Sequence, residues 1–142
     1  MRAAPPGVVA LSLLLYGSTL MAQQPTSDVD CSAARGTQAE IDRCAAMEAD
    51  RAKNSLNDLL AALKVKLSSS QWKELQAVQN EWRRFADHHC TWEISFAEGG
   101  SLAPAVGSLC QRTLTRQRID VLKTFLCEGE GMTGPCEASR RF

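Results

Sequence analysis

The sequence predicts an all-α protein: a small disulfide-stabilised antiparallel helical bundle of about three long helices. Three observations carry that expectation. Apolar residues recur three or four apart along successive runs, and no alternating stretch reads as a strand. Two of those runs open on a capping box. The chain of 142 residues holds six cysteines, an even set of the kind that braces small exported domains.

Residues 1–22 read as a secretory signal peptide. Met1-Arg2 supply the charged start, Val8 to Tyr16 the apolar run, and Ala22 the small-residue exit. Gly17, Ser18 and Thr19 interrupt the run before it reaches the ~20 residues of a membrane span, so no stable membrane anchor is expected after cleavage. The first cysteine, Cys31, follows Asp28-Val29-Asp30, so no cysteine stands at the cleavage point to carry a lipid. The mature chain is expected to be periplasmic or secreted. Taking 22 residues from 142 leaves 120, enough for one cored domain. Residues 23–36 form a flexible N-terminal lead, 37–126 the helical domain, and 127–142 a disulfide-closed C-terminal loop and tail.

The first helix opens at Thr37-Gln38-Ala39-Glu40, where the threonine hydroxyl accepts from the fourth residue and the glutamate reaches back to the cap. Its inward stripe is Ile41, Ala45, Ala52, Leu56, Leu59, Leu63 and Leu67, uninterrupted by proline or glycine. Ser68-Ser69-Ser70-Gln71 repeats the capping box and starts the second helix. Its inward set is Trp72, Leu75, Val78 or Gln79, Trp82, Phe85, His89 and Trp92, ending before Gly99-Gly100-Ser101. The third begins near Ala103-Pro104, where a first-turn proline costs nothing, and continues through Val106, Leu109, Leu114, Val121, Leu122 and Phe125. Gly107 weakens its start. Helices joined by so short a turn run antiparallel.

Local pairing of the cysteines follows from this layout: Cys31 with Cys44, Cys90 with Cys110, and Cys127 with Cys136. If one helix ends near Ala97 and the next begins near Ala103, Cys90 and Cys110 each stand about seven residues from the loop, roughly 10 Å at 1.5 Å per residue. Antiparallel helices then bring the two Cβ atoms level, as a disulfide requires.

Charge and motif content exclude several functions. Without Arg2, 15 basic residues face 16 acidic ones, a balance that argues against nucleic acid as partner. The spread is uneven: Asp28 to Glu98 holds 12 acidic and nine basic residues, Gly99 to Phe142 four and six. No C-x-x-C pair suggests a metal, no C-x-x-C-H a c-type haem, no G-x-S-x-G a serine nucleophile, and no C-x3-C an odorant-binding fold. Adjacent helical His88 and His89 diverge by about 100° and cannot share one ion, and a disulfide-bonded Cys90 is no thiolate. Carboxylates spread around helix surfaces rather than pairing for glycoside chemistry. The aromatics Trp72, Trp82, Phe85 and Trp92 read as core. No cofactor is expected, and the chain is not expected to be an enzyme. Four polar residues face the expected interior, Gln79, Asp87, Thr115 and Arg118, with Arg118 and Asp87 a candidate ion pair.

Cys31, Thr37-x-x-Glu40, Cys44, Leu56-Asn57, Gln79-x-x-Trp82, Asp87, Cys90, Gly99-Gly100-Ser101, Cys110, Thr115-x-x-Arg118 and Leu122 together resemble the LprI-type lysozyme inhibitor family. The likeness spans nearly the whole mature chain. Two positions depart from the family pattern: Ala86 stands where an arginine usually precedes the aspartate, and no aromatic stands near Leu60. The Cys127 and Cys136 pair is an addition. The resemblance implies an exported protein that binds a lysozyme or another peptidoglycan-directed protein and protects the cell wall. An envelope scaffold or an immunity module without lysozyme inhibition is the alternative. Binding of that kind calls for a protruding element and electrostatic attraction between the acidic-leaning part and a cationic lysozyme. The candidate partner-binding residues are Gly99, Gly100 and Ser101 in the turn and Glu128 and Glu130 in the closed loop.

Overall fold

The computed structural model describes Cys31, residues 36–127 and residues 136–142. The expected signal peptide and the loop residues Glu128 and Glu130 lie outside the described residues. Helix α1 spans Gln38–Lys66, α2 Ser69–Ser95 and α3 Ala103–Leu122, followed by short 3-10 turns at Lys123–Leu126 and Glu137–Ser139. Among the described residues there is no strand.

The helix starts are fixed by side chains. Thr37 Oγ1 accepts from the Glu40 N–H at 3.4 Å, and the Thr37 N–H donates to the Glu40 carboxylate at 2.7 Å. Ser68 and Gln71 repeat the exchange at 3.3 and 3.0 Å, so only Leu67 and Ser68 separate α1 from α2. Lys64 and Lys66 close α1 at its negative dipole end. Helix α3 has no side-chain cap and starts on Pro104 in its first turn, where the missing N–H is an orphan anyway.

Helix α3 is the element against which both others pack. It runs parallel to α1: Arg112, midway along α3, pairs with Glu48 in the first half of α1, and Ile119, Leu122 and Leu126 join Leu56, Leu59, Leu60 and Leu63 near both ends. It runs antiparallel to α2, since Arg118 meets Gln79 whereas Cys110 meets Cys90. Along α1 the buried face changes character. Ala45, Ala49 and Ala52 carry the first half, and the four leucines carry the second. Small side chains let α3 approach closely at one end. The leucines at the other end build a thick core that also takes in Leu67, Trp72, Leu75, Trp82 and the terminal Phe142. The tail reaches that core through Cys127–Cys136 and a buried Ser139, whose hydroxyl donates to the Cys136 carbonyl at 2.8 Å. Its end is therefore part of the fold.

The inward faces differ from the sequence expectation in phase. On α3 the buried positions are Ala105, Cys110, Thr115, Ile119 and Leu122, while Leu109, Val121 and, in the following 3-10 turn, Phe125 are exposed. On α2 the buried positions are Gln79, Ala86 and Cys90; Val78, Phe85 and Trp92 face solvent. Ile41 on α1 is likewise exposed. The reason is common to all three. Close helix approach selects small or compact residues for the seams and leaves several large apolar ones outside.

Candidate functional site

Two groupings stand out: a polar seam between α2 and α3, and the tip where these helices join.

The seam brings together three of the marker residues, Gln79, Trp82 and Arg118. Arg118 Nε donates to Gln79 Oε1 at 3.0 Å, and the guanidinium lies over the Trp82 ring at 5.8 Å. Thr115 lies on the same helix and is only 1% exposed. Burial lowers the Arg118 pKa from its ordinary value, because desolvation disfavours the cation. Gln79 Nε2 and one Arg118 Nη2 are buried without a protein acceptor, so the seam is only partly satisfied. The expected Arg118–Asp87 ion pair does not form. Asp87 is exposed rather than interior, and its Oδ1 accepts from Gln111 Nε2 at 3.1 Å, tying the outer edges of the two helices. Ala86, where an arginine was expected from the family pattern, is 1% exposed on the face that carries Gln79 and Cys90. Its small side chain belongs to the packing of the seam.

Nearer the tip, Cys90–Cys110 clamps α2 to α3 with a Cα separation of 5.6 Å, and Cys31–Cys44 ties the preceding segment to α1 at 5.5 Å. Gly107 sits where a Cβ would meet Ile94 Cδ1 at 2.7 Å, so the glycine permits the helices to converge beside the clamp. The turn itself is wound by successive hydrogen bonds: Ala97 N–H to Ile94 at 2.8 Å, Gly100 N–H to Ala97 at 3.0 Å and Ala103 N–H to Gly100 at 3.4 Å. Gly99 takes φ +79°, a left-handed conformation that favours glycine. Gly99, Gly100 and Ser101 are exposed at the apex.

An aromatic ladder climbs α2 to this apex. Phe85 and His89 stack at 5.5 Å, His89 and Trp92 at 5.5 Å, and Trp92 meets Phe96 edge-on at 5.1 Å. Phe85 is 56%, Trp92 58% and Phe96 76% exposed, and Leu102 adds an exposed apolar side chain just past the turn. The same segment is one-sided in charge. Between Arg84 and Arg112 there is no lysine or arginine, whereas Asp87, Glu93 and Glu98 are present. The spacing alone reads Phe85 and Trp92 as core, and the structure places both in solvent because the smaller Ala86 and Cys90 take the inward positions.

His89 Nε2 lies 3.0 Å from Glu93 Oε1, and the pair is close to Cys110 Sγ. That sulfur is committed to the disulfide, which leaves too few donors for a metal centre.

The described residues thus form three helices with a disulfide-clamped hairpin and an exposed aromatic stripe leading to its turn. The lysozyme inhibitor LprI family model matches residues 31–122, and the chain belongs to that family. No curated protein matches the chain, and no solved structure does.

Proposed function

We propose that the protein is an exported inhibitor that binds a lysozyme and protects peptidoglycan from it. Membership of the family over residues 31–122 carries this reading. The leader at residues 1–22 directs export, and the mature domain acts in the periplasm or outside the cell. No described helix is long and apolar enough to cross a membrane. Inhibition of this kind needs no chemistry in the inhibitor. It needs a preorganised projection that occupies a cleft built for a sugar chain, with little entropy lost on binding. The apex Gly99–Ser101, stiffened by its hydrogen-bonded turns and held by Cys90–Cys110, suits that role.

The test is a turbidity assay of peptidoglycan lysis by cationic lysozymes, run with the oxidised and the reduced protein. Oxidised protein should slow lysis at micromolar concentration, and reduction should weaken the effect as the hairpin loosens. Undiminished lysis by several lysozyme types at micromolar excess of oxidised protein would sink the proposal.

A further inference from the structure

We infer that the outer ladder of α2, Phe85, His89, Trp92 and Phe96, is a docking surface for a cationic protein, with Trp92 and Phe96 as its anchors. This deepens the inhibitor reading and rests on it for the identity of the partner.

None of Phe85, Trp92 and Phe96 enters the leucine core, and each leaves more than half of its surface in water. Contiguous exposed apolar side chains bordered by polar residues mark interaction sites, whereas single scattered ones do not. The rings instead support one another, and Cys90, next to His89 in sequence, pins the middle of the stripe to α3. The surface is therefore fixed before any partner arrives. Aromatic side chains held this way are the usual energetic centres of protein interfaces.

Charge selects among occupants. Asp87, Glu93 and Glu98 accompany the ladder with no lysine or arginine from residue 85 to 111. A second copy would bring like charge against like, and an anionic lipid surface or a nucleic acid would be repelled in the same way. A glycan strand would want flat, parallel platforms, but successive ring planes here are inclined at 31°, 49° and 90°. What remains complementary is a basic protein surface with an apolar depression. A cationic lysozyme, on the inhibitor reading, supplies the basic surface.

The experiment measures binding and inhibition separately, using the full oxidised chain and one purified cationic lysozyme. Isothermal calorimetry gives Kd, and lysis of peptidoglycan gives activity. Trp92→Ala and Phe96→Ala should each raise Kd by about 10- to 100-fold while circular dichroism stays unchanged. Val65→Ser, at an exposed position on α1, should leave Kd as it is. Glu93→Gln with Glu98→Gln should slow association and flatten its salt dependence. If the wild type binds and inhibits but both ring variants bind as tightly as it does, the ladder is not the surface and the inhibitor reading survives. If the wild type binds through the ladder yet lysis proceeds, the docking inference stands and the inhibitor reading falls. Absence of any binding overturns both. A dimer seen by sedimentation that Trp92→Ala dissolves would also overturn the inference, by showing the occupant to be a second copy.

Discussion

The two halves of α2 obey the same spacing and meet opposite fates. Trp72, Leu75 and Trp82 pack against the leucine core, while Phe85, Trp92 and Phe96, further along the same helix, stand in solvent. The difference lies in phase as well as in the neighbours: Gln79, Ala86 and Cys90 continue the buried face, and the rings stand on the stripe beside it. At the base, α1 contributes Leu56, Leu59, Leu60 and Leu63; towards its start it contributes alanines. Leucines reach far enough to meet a third helix, and alanines do not. A three-four stripe thus establishes that a helix has an apolar face, but the size of the residues on the other helices decides whether the chain itself covers it.

The largest effect that would test this contrast belongs to the base. Leu63→Ala, at a position with 0% exposure, should cost about 2–5 kcal/mol, read as a lowered midpoint in urea. A cost near that of an exposed site would mean the base is no more a core than the tip. The clamp comes next. Cys90→Ser with Cys110→Ser should remove about 2–4 kcal/mol. Hydrogen exchange should then quicken at the tip, around Ile94 to Val106, and change less among the leucines of α1. Uniform acceleration through the whole chain would break the distinction between the two regions.

The seam between them should respond less. Arg118→Ala removes the bond to Gln79 and the contact with Trp82, leaving a buried amide with no partner at all, for about 1–3 kcal/mol. Thermal unfolding checks this, and a neutral outcome would show that desolvating the guanidinium already cancels what its contacts contribute. At the apex, Gly99→Ala meets no neighbour within 4 Å, so only the left-handed backbone at φ +79° resists it. That strain is worth about 1–2 kcal/mol. A silent Gly99→Ala in thermal melts would mean the turn rewinds freely.

Much of the architecture is legible in the sequence because it is written in local chemistry. The hydroxyl-to-carboxyl and hydroxyl-to-amide exchanges at Thr37 and Ser68 place two helix starts, and the glycines at 99 and 100 place the hairpin turn. The matched distances of Cys90 and Cys110 from that turn anticipate the clamp that closes there. The interior faces are harder. The third helical run reads inward through Leu109, Val121 and Phe125 as well as Leu122, whereas its buried positions in α3 are Ala105, Cys110, Thr115, Ile119 and Leu122. Where backbones approach closely, a small or compact residue is the better fit, and hydropathy ranks such residues low. The same preference hides Ala86, which reads as a lost arginine and is a packing residue. The tail is hidden for another reason: nothing local in the last residues says that Phe142 returns to the leucines, because that contact depends on a disulfide that redirects the chain.

The smallest effect is the most telling one for the comparison. Trp92→Ala removes a whole indole ring, yet that ring touches only His89 and Phe96 in the described ladder and keeps 58% of its surface in water. Two exposed ring contacts are worth about 1 kcal/mol or less together. A thermal melt should therefore move little, far less than for Leu63→Ala, although tryptophan is the larger residue. If stability fell by as much as at the base, the ladder would have to be a structural element of the folded chain. If it barely falls, the aromatic surface does nothing for folding that would account for its size, and its physical rationale lies in what it can bind.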